Sequence, residues 1–238
     1  MKYSNHFLSG YTNIFFDCDS TLTAIEGIDW LAKIKNKTKI IQDLTLQTVE
    51  GKLPFESVLK LRLDIIKPSR EDIFKLGKEY IKNCLPYTKQ AIALLRCCHK
   101  NVFIVSGGYR PAVNQLAQWL GVLKKNVYAI DIFFNPNGTY AGVDTDNPLA
   151  RQNGKKIIIK NITANHSSML IGDGATDLEA REVVDLFVGF GGVKRRPLVV
   201  EKSDVFINLP NLMPIVALAN GTKFICYNKE ENARPKYR

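Results

Sequence analysis

An apolar run, Ile14-Phe15-Phe16, ends abruptly in Asp17-Cys18-Asp19-Ser20-Thr21, and this junction constrains the fold more than any other stretch of the chain. Side chains alternate along an extended strand, so Asp17 and Asp19 share one face while Cys18 turns back into the packing. Two carboxylates on one face repel, and in a confined place they coexist only with a cation or a shared proton. Capping of a following helix would explain one acid and leave the other without a reason. Cys18 itself reads as a small packed side chain rather than a redox element.

Other short apolar runs, at 102–105, 169–171, 186–188 and 205–207, are flanked by turn or polar residues and suit fully buried parallel strands. Helical periodicity falls between them, at 88–98, 111–120 and 177–183. This alternation predicts an α/β fold: a Rossmann-like three-layer core with a mostly parallel sheet and helices on both faces. Asn135-Pro136-Asn137-Gly138, between 127–134 and 139–143, signals a hairpin. From Thr21 to about Leu85 the pattern becomes consecutive helical segments at 28–34, 40–49, 54–66 and 69–81, with Pro54 and Ser69 at expected helix starts. A helical cap inserted after the first strand would lie over the strand ends where an open parallel sheet binds ligands. The expected division is a core of 1–20 and 86–227, a cap of 21–85 and a basic tail of 228–238.

With 238 residues, 45% of them hydrophobic, the chain can bury a sizeable core. Five cysteines, including the neighbours Cys97 and Cys98, show no metal-ligand spacing and favour a reducing, cytoplasmic setting. Only Lys2 precedes a broken apolar stretch, so no secretory signal is expected, and no run approaches a membrane span. A formal net charge of +10 raises a nucleic-acid partner, through Lys33, Lys35, Lys37, Lys39, Lys194-Arg195-Arg196 and the tail ending in Arg238. These clusters are scattered and accompany no nucleic-acid module; attraction of anionic substrates is the default, and a non-catalytic nucleic-acid-binding module is the alternative from another class. His6, His99 and His166 belong to no triad or zinc pattern.

Three further features sit at strand ends. Ser106-Gly107-Gly108 offers a hydroxyl and exposed N–H groups to phosphate oxygens. In Gly172-Asp173-Gly174-Ala175-Thr176-Asp177 two glycines flank an acid, which lets backbone approach a metal and leaves Asp173 free as an oxygen ligand; Asp177 serves the same pocket or the first turn of a helix. Lys155, heading Lys155-Lys156-Ile157-Ile158-Ile159-Lys160, supplies a cation without which paired carboxylates would repel a phosphate dianion, although charge alone does not fix which lysine serves.

With these residues in place, the chain resembles the phosphoserine phosphatases of the haloacid dehalogenase superfamily. The resemblance runs from about Asn13 to Leu209 and also covers Glu26-Gly27-Ile28-Asp29, Pro54-Phe55, Pro68-Ser69-Arg70-Glu71, Asn137-Gly138 and Gly189-Phe190-Gly191-Gly192. It implies that Asp17 is the nucleophile forming an aspartyl-phosphate, and that Asp19 protonates the leaving seryl oxygen and then activates water. It implies Mg2+ held by Asp17, the main-chain carbonyl of Asp19 and Asp173, with Asp177 behind them. Ser106, Gly107 and Lys155 would grip the phosphate, Glu26 the ammonium and Arg62 the carboxylate of O-phospho-L-serine, in serine biosynthesis. A relative acting on phosphohomoserine, phosphocholine or a phosphosugar is the catalytic alternative. Two departures stand out: Lys156 follows Lys155 where the family usually has Gly, and the chain after Asn208 has no counterpart in the resemblance.

Overall fold

The computed structural model describes residues 10–49, 55–163 and 166–221; His6, Pro54, 224–227 and the tail from Asn228 lie outside the described residues. Six strands form one parallel sheet: β1 (Asn13–Phe16), β2 (Asn101–Tyr109), β3 (Val127–Ile130), β6 (Ser168–Gly172), β7 (Leu186–Phe190) and β8 (Val205–Ile207). Their order is β3-β2-β1-β6-β7-β8. The chain therefore builds outward from β1 in one direction, returns, and builds outward in the other, which opens a crevice at the C-terminal ends of the central strands. Phe15 pairs with Phe103 on one side and Leu170 on the other, and Ile14, Phe15 and Phe16 are fully buried. Burial of each such side chain contributes about 1.5–3 kcal/mol, so the segment that delivers Asp17 is firmly anchored.

Between β1 and the helix α5 (Thr88–Cys97) come four helices in succession: α1 (Gly27–Ile34), α2 (Thr38–Val49), α3 (Phe55–Ile66) and α4 (Arg70–Lys82). Ser69 starts α4 with a capping box, accepting from the Asp72 N–H at 3.2 Å while its own N–H donates to Asp72 Oδ2 at 2.7 Å. The outgoing and returning linkers pair with each other, Ala24 N–H to Asn83 O at 2.9 Å and Leu85 N–H to Leu22 O at 3.0 Å. α6 (Arg110–Leu120) follows β2, α7 (Gly154–Ile162) precedes β6, α8 (Ala175–Glu179) follows β6, and α9 (Pro197–Lys202) joins β7 to β8. The hairpin of β4 (Ile132–Phe134) and β5 (Tyr140–Val143) leans on α3 and α4: Tyr140 donates to Asp64 Oδ1 at 3.2 Å, and Arg70 N–H to Gly138 O at 2.8 Å.

Three local expectations are corrected. The run 127–134 is two strands, because Asp131 breaks it: Arg110 binds the Asp131 carboxylate at 2.7 Å and the outward carbonyls of Val127 and Ala129, closing the sheet edge at β3. The strand expected at 102–105 does not end there; β2 continues through Ser106-Gly107-Gly108 to Tyr109, with a register shift after Val105. The helix expected at 177–183 is α8 followed by a 3-10 turn at Arg181–Val183, since Asp177 is spent on the first turn. Beyond Asn208 the chain forms α10 (Met213–Asn220), whose Ala219 carbonyl accepts from Tyr11 N–H at 2.8 Å.

Candidate active site

Asp17 leaves the end of β1 with its N–H on Ile171 O at 2.9 Å, so the sheet ladder itself aims the side chain. The Cys18 carbonyl then accepts from Thr21, Leu22 and Thr23, closing a turn that needs Ser20 at φ +56° and presents Asp19 beside Asp17. Both acids line a cavity of about 590 Å³, with strand ends on one side and Ile28, Thr45, Leu59 and Arg62 of α1–α3 on the other. Glu26, Ser106, Gly107, Lys155 and Asp173 line it too. Among the residues singled out from sequence, only Asp177 lies behind the wall, fully buried.

Lys155, 5% exposed, bridges Asp17 Oδ1 and Asp177 Oδ1 at 2.7 Å each. Burial alone would lower its pKa, but the two carboxylates outweigh that and hold the ammonium charged, with its pKa raised. Its placement follows from Gly154, where a Cβ would meet the Pro148 carbonyl at 2.0 Å; only glycine lets α7 start so close to that turn. Lys156 faces outward to Glu182. Asp177 also accepts from Gly174 N–H at 3.0 Å, and it packs so tightly on Gly172 that a Cβ there would lie 2.1 Å from its carboxyl carbon. Ser106 Oγ accepts from Gly108 N–H at 2.9 Å, while Gly107 opens onto free space.

Asp19 Oδ2 accepts from Gly27 N–H, the first helical residue of α1, at 2.7 Å. Its Oδ1 is buried without a hydrogen bond, beside the buried Tyr80 hydroxyl, which also lacks an aligned partner. Arg62 donates from Nη1 to Thr45 Oγ1 at 3.3 Å and keeps Nε unpartnered. Glu26 Oε1 gathers Ser20 Oγ at 2.8 Å, Lys194 Nζ at 2.9 Å and Arg196 Nη2 at 3.4 Å. Arg196 Nε also reaches Asp173 Oδ2 at 3.1 Å. Sequence reading noted Lys194 and Arg196 only as part of a basic run; their position just past the strand-end Gly191-Gly192 was the available signal. Nothing in the sequence marked Thr45 or Tyr80, which read as ordinary helix residues. His99 and His166 do not line the cavity.

Oxygen atoms of Asp17, Asp173 and Asp177 lie within 4.8 Å of one another, all buried. Burial, reinforced by neighbouring acids, raises Asp17 and Asp19 to about 7 and Asp173 to about 6. A crowd of hard oxygen donors with surplus negative charge fits Mg2+. One consequence is measurable. Without metal, the folded protein retains protons on these acids that the unfolded chain has already released, so stability falls as pH rises through their folded pKa values. In EDTA the melting temperature should drop between about pH 5.5 and about pH 8, and Mg2+ should reduce that drop. A melting temperature that climbs over this window in EDTA contradicts the assignment.

Residues 14–182 match the haloacid dehalogenase-like hydrolase family. A phosphoserine phosphatase from Bos taurus is 36% identical over 197 residues, covering 82% of this chain and 88% of its own. Two solved structures share the fold at 26% identity and 87% coverage of this chain. A substrate-bound phosphoserine phosphatase complex superposes with a TM-score of 0.73 and 97% of its length covered. A phospho-aspartyl intermediate analogue of phosphoserine phosphatase gives 0.71 and 98%.

Proposed function

This chain belongs to the haloacid dehalogenase-like hydrolase family, and from that premise we propose that it hydrolyses O-phospho-L-serine to L-serine and phosphate through an aspartyl-phosphate on Asp17. One observation carries the reading: a buried Asp17–Lys155 pair faces, across a single cavity, an arginine whose Nε has no partner and a glutamate 26 residues into the chain. The relatives named above, one of them a phospho-aspartyl analogue, support it.

In this reading Ser106 Oγ, the Gly107 N–H and the Lys155 ammonium hold the phosphate oxygens, and an Asp17 oxygen attacks phosphorus in line with the leaving seryl oxygen. Asp19, whose raised pKa lets it carry a proton near neutrality, delivers that proton to the seryl oxygen. It then takes one from the water that attacks the aspartyl-phosphate, and so returns to its starting form. Asp17, the Asp19 main-chain carbonyl and Asp173 would hold Mg2+, which would supply positive charge to offset the charge on the phosphoryl group. Asp177 fixes Lys155 from behind.

Residues 21–85 serve as a cap whose Arg62 fork suits a carboxylate and whose Glu26 suits an ammonium. Arg62 disfavours phosphocholine and phosphosugars, which carry no carboxylate; phosphohomoserine differs by one methylene and is the nearest competitor. Unpaired Cys18, Cys84, Cys97 and Cys98 support a reducing, cytoplasmic setting, and no described helix is long and apolar enough to cross a membrane.

Phosphate release across a panel of phosphoesters, with and without Mg2+, tests the proposal. Phosphoserine should be preferred and Mg2+ required; phosphoserine no better than phosphocholine or glycerol phosphate defeats it. Arg62→Ala should raise KM for phosphoserine by about ten- to a hundredfold, because it removes a charged head-group contact made alike in ground and transition states. The same change should shift KM for an aryl phosphate far less, and equal losses on both count against the carboxylate role.

A further inference from the structure

Glu26 is an unusual ammonium reader because this chain already gives it an ammonium. Lys194 Nζ sits 2.9 Å from Glu26 Oε1, with the Arg196 guanidinium at 3.4 Å on the same oxygen. Burial alone would push the Glu26 carboxyl up, but the Lys194 charge and hydrogen bond, with Ser20 and Arg196, outweigh it and leave the group ionised below its ordinary value. Lys194 comes from the segment after β7, not from the cap, and its side chain is 42% exposed. A four-carbon stem whose tip meets the cavity-lining Glu26 can deliver its charge there or withdraw it into water at little cost.

Selectivity against a ligand lacking one polar group is normally strict because the site's matching group is left buried and unpaired, which lowers kcat/KM by about 10⁴–10⁵. That penalty depends on the protein having no substitute of its own. Here it does: an amine-free ligand leaves Glu26 still paired.

Resting on the reading of the cavity as a phosphoserine site, we propose that Lys194 is a specificity-determining residue that stands in for the substrate ammonium. The chain would therefore also hydrolyse phosphate esters of hydroxy acids, compounds with the carboxylate but not the amine. When phosphoserine binds, its ammonium displaces Lys194 into solvent. When a hydroxy-acid phosphate binds, Lys194 stays, Arg62 still takes the carboxylate, and the groups around phosphorus are unchanged. Arg196 alone cannot perform this exchange, since its guanidinium is shared with Asp173 at 3.1 Å.

The test compares kcat/KM for O-phospho-L-serine and for 3-phosphooxypropanoate, the same skeleton with hydrogen in place of the ammonium, in the full-length Mg2+-loaded protein. The ratio within each variant cancels differences in folded fraction. In the unsubstituted protein it should stay below about a hundredfold, well short of the strict limit. Lys194→Ala should widen it at least tenfold, chiefly by slowing the amine-free substrate, and Lys194→Arg should hold it near the starting value. A starting ratio of 10⁴ or more, or one that Lys194→Ala leaves unchanged, overturns the inference while phosphoserine hydrolysis stands. Phosphoserine turnover no better than that of glycerol phosphate instead overturns the reading of the cavity, and the inference with it.

Discussion

Asp17→Asn should reduce turnover of every phosphomonoester by at least about 10⁴-fold, with no compensating change in KM large enough to hide it. An amide oxygen carries no charge with which to attack phosphorus, and the two acids grouped with Asp17 are otherwise engaged. Asp173 and Asp177 contribute oxygens within 4.8 Å, but Asp177 is fully buried behind the cavity and Asp173 is held by Arg196. Loss of structure would not explain the result. Asp17 is only 8% exposed and its burial holds the acid at about 7, so the folded protein gains little from ionising it. Replacing it with a neutral isostere should leave the melting temperature in EDTA at pH 8 the same or higher. Equal activity, or inactivity accompanied by unfolding, would go against this expectation.

Asp19→Asn should separate the two half-reactions. A seryl oxygen leaves poorly unless it is protonated as it departs, so loss of the acid should slow phosphoserine by about 10²–10⁴-fold. A nitrophenyl leaving group needs no such proton, and Asp17 should still be phosphorylated by an aryl phosphate at a useful rate. Hydrolysis of the aspartyl-phosphate, however, has lost its base. Stopped-flow release of nitrophenolate should therefore show a burst approaching one equivalent of enzyme, followed by a slow steady state. One Asp19 oxygen accepts from Gly27 N–H at 2.7 Å and the other lies without a hydrogen bond in the cavity wall, an arrangement that suits both proposed duties. Similar slowing of both substrates, without a burst, would assign the proton transfers elsewhere.

The acid pair was legible in the sequence because the apolar run before Asp17 left little doubt about the strand, but β1 ends at Phe16, and a turn with Ser20 at φ +56° rather than strand alternation sets Asp19 beside Asp17. Gly172-Asp173-Gly174 was legible for a similar reason, although the tightest demand on Gly172, the Asp177 carboxylate against its Cα, emerges only in three dimensions. Choosing Lys155 over Lys156 was beyond charge counting; the choice rests on a helix start pressed against the Pro148 carbonyl. The division of 127–134 into β3 and β4 depended on Arg110 capturing Asp131, a partner supplied by a different element. Lys194 and Arg196 showed the same difficulty more strongly. A basic run says nothing about which acid it will meet, and theirs is Glu26, near the opposite end of the chain. Tyr80 fits the apolar stripe of α4 and only its contact with Asp19 distinguishes it from a core residue.

The proposed covalent step can be read directly. Acid quenching of the Mg2+-loaded protein during turnover of phosphoserine, reduction with borohydride to mark any acyl phosphate, and peptide mass spectrometry should place the modification on Asp17, with Asp19, Asp173 and Asp177 unmodified. Turnover that proceeds at full rate with no acyl phosphate on Asp17, or with the mark on another side chain, would contradict the account at its centre.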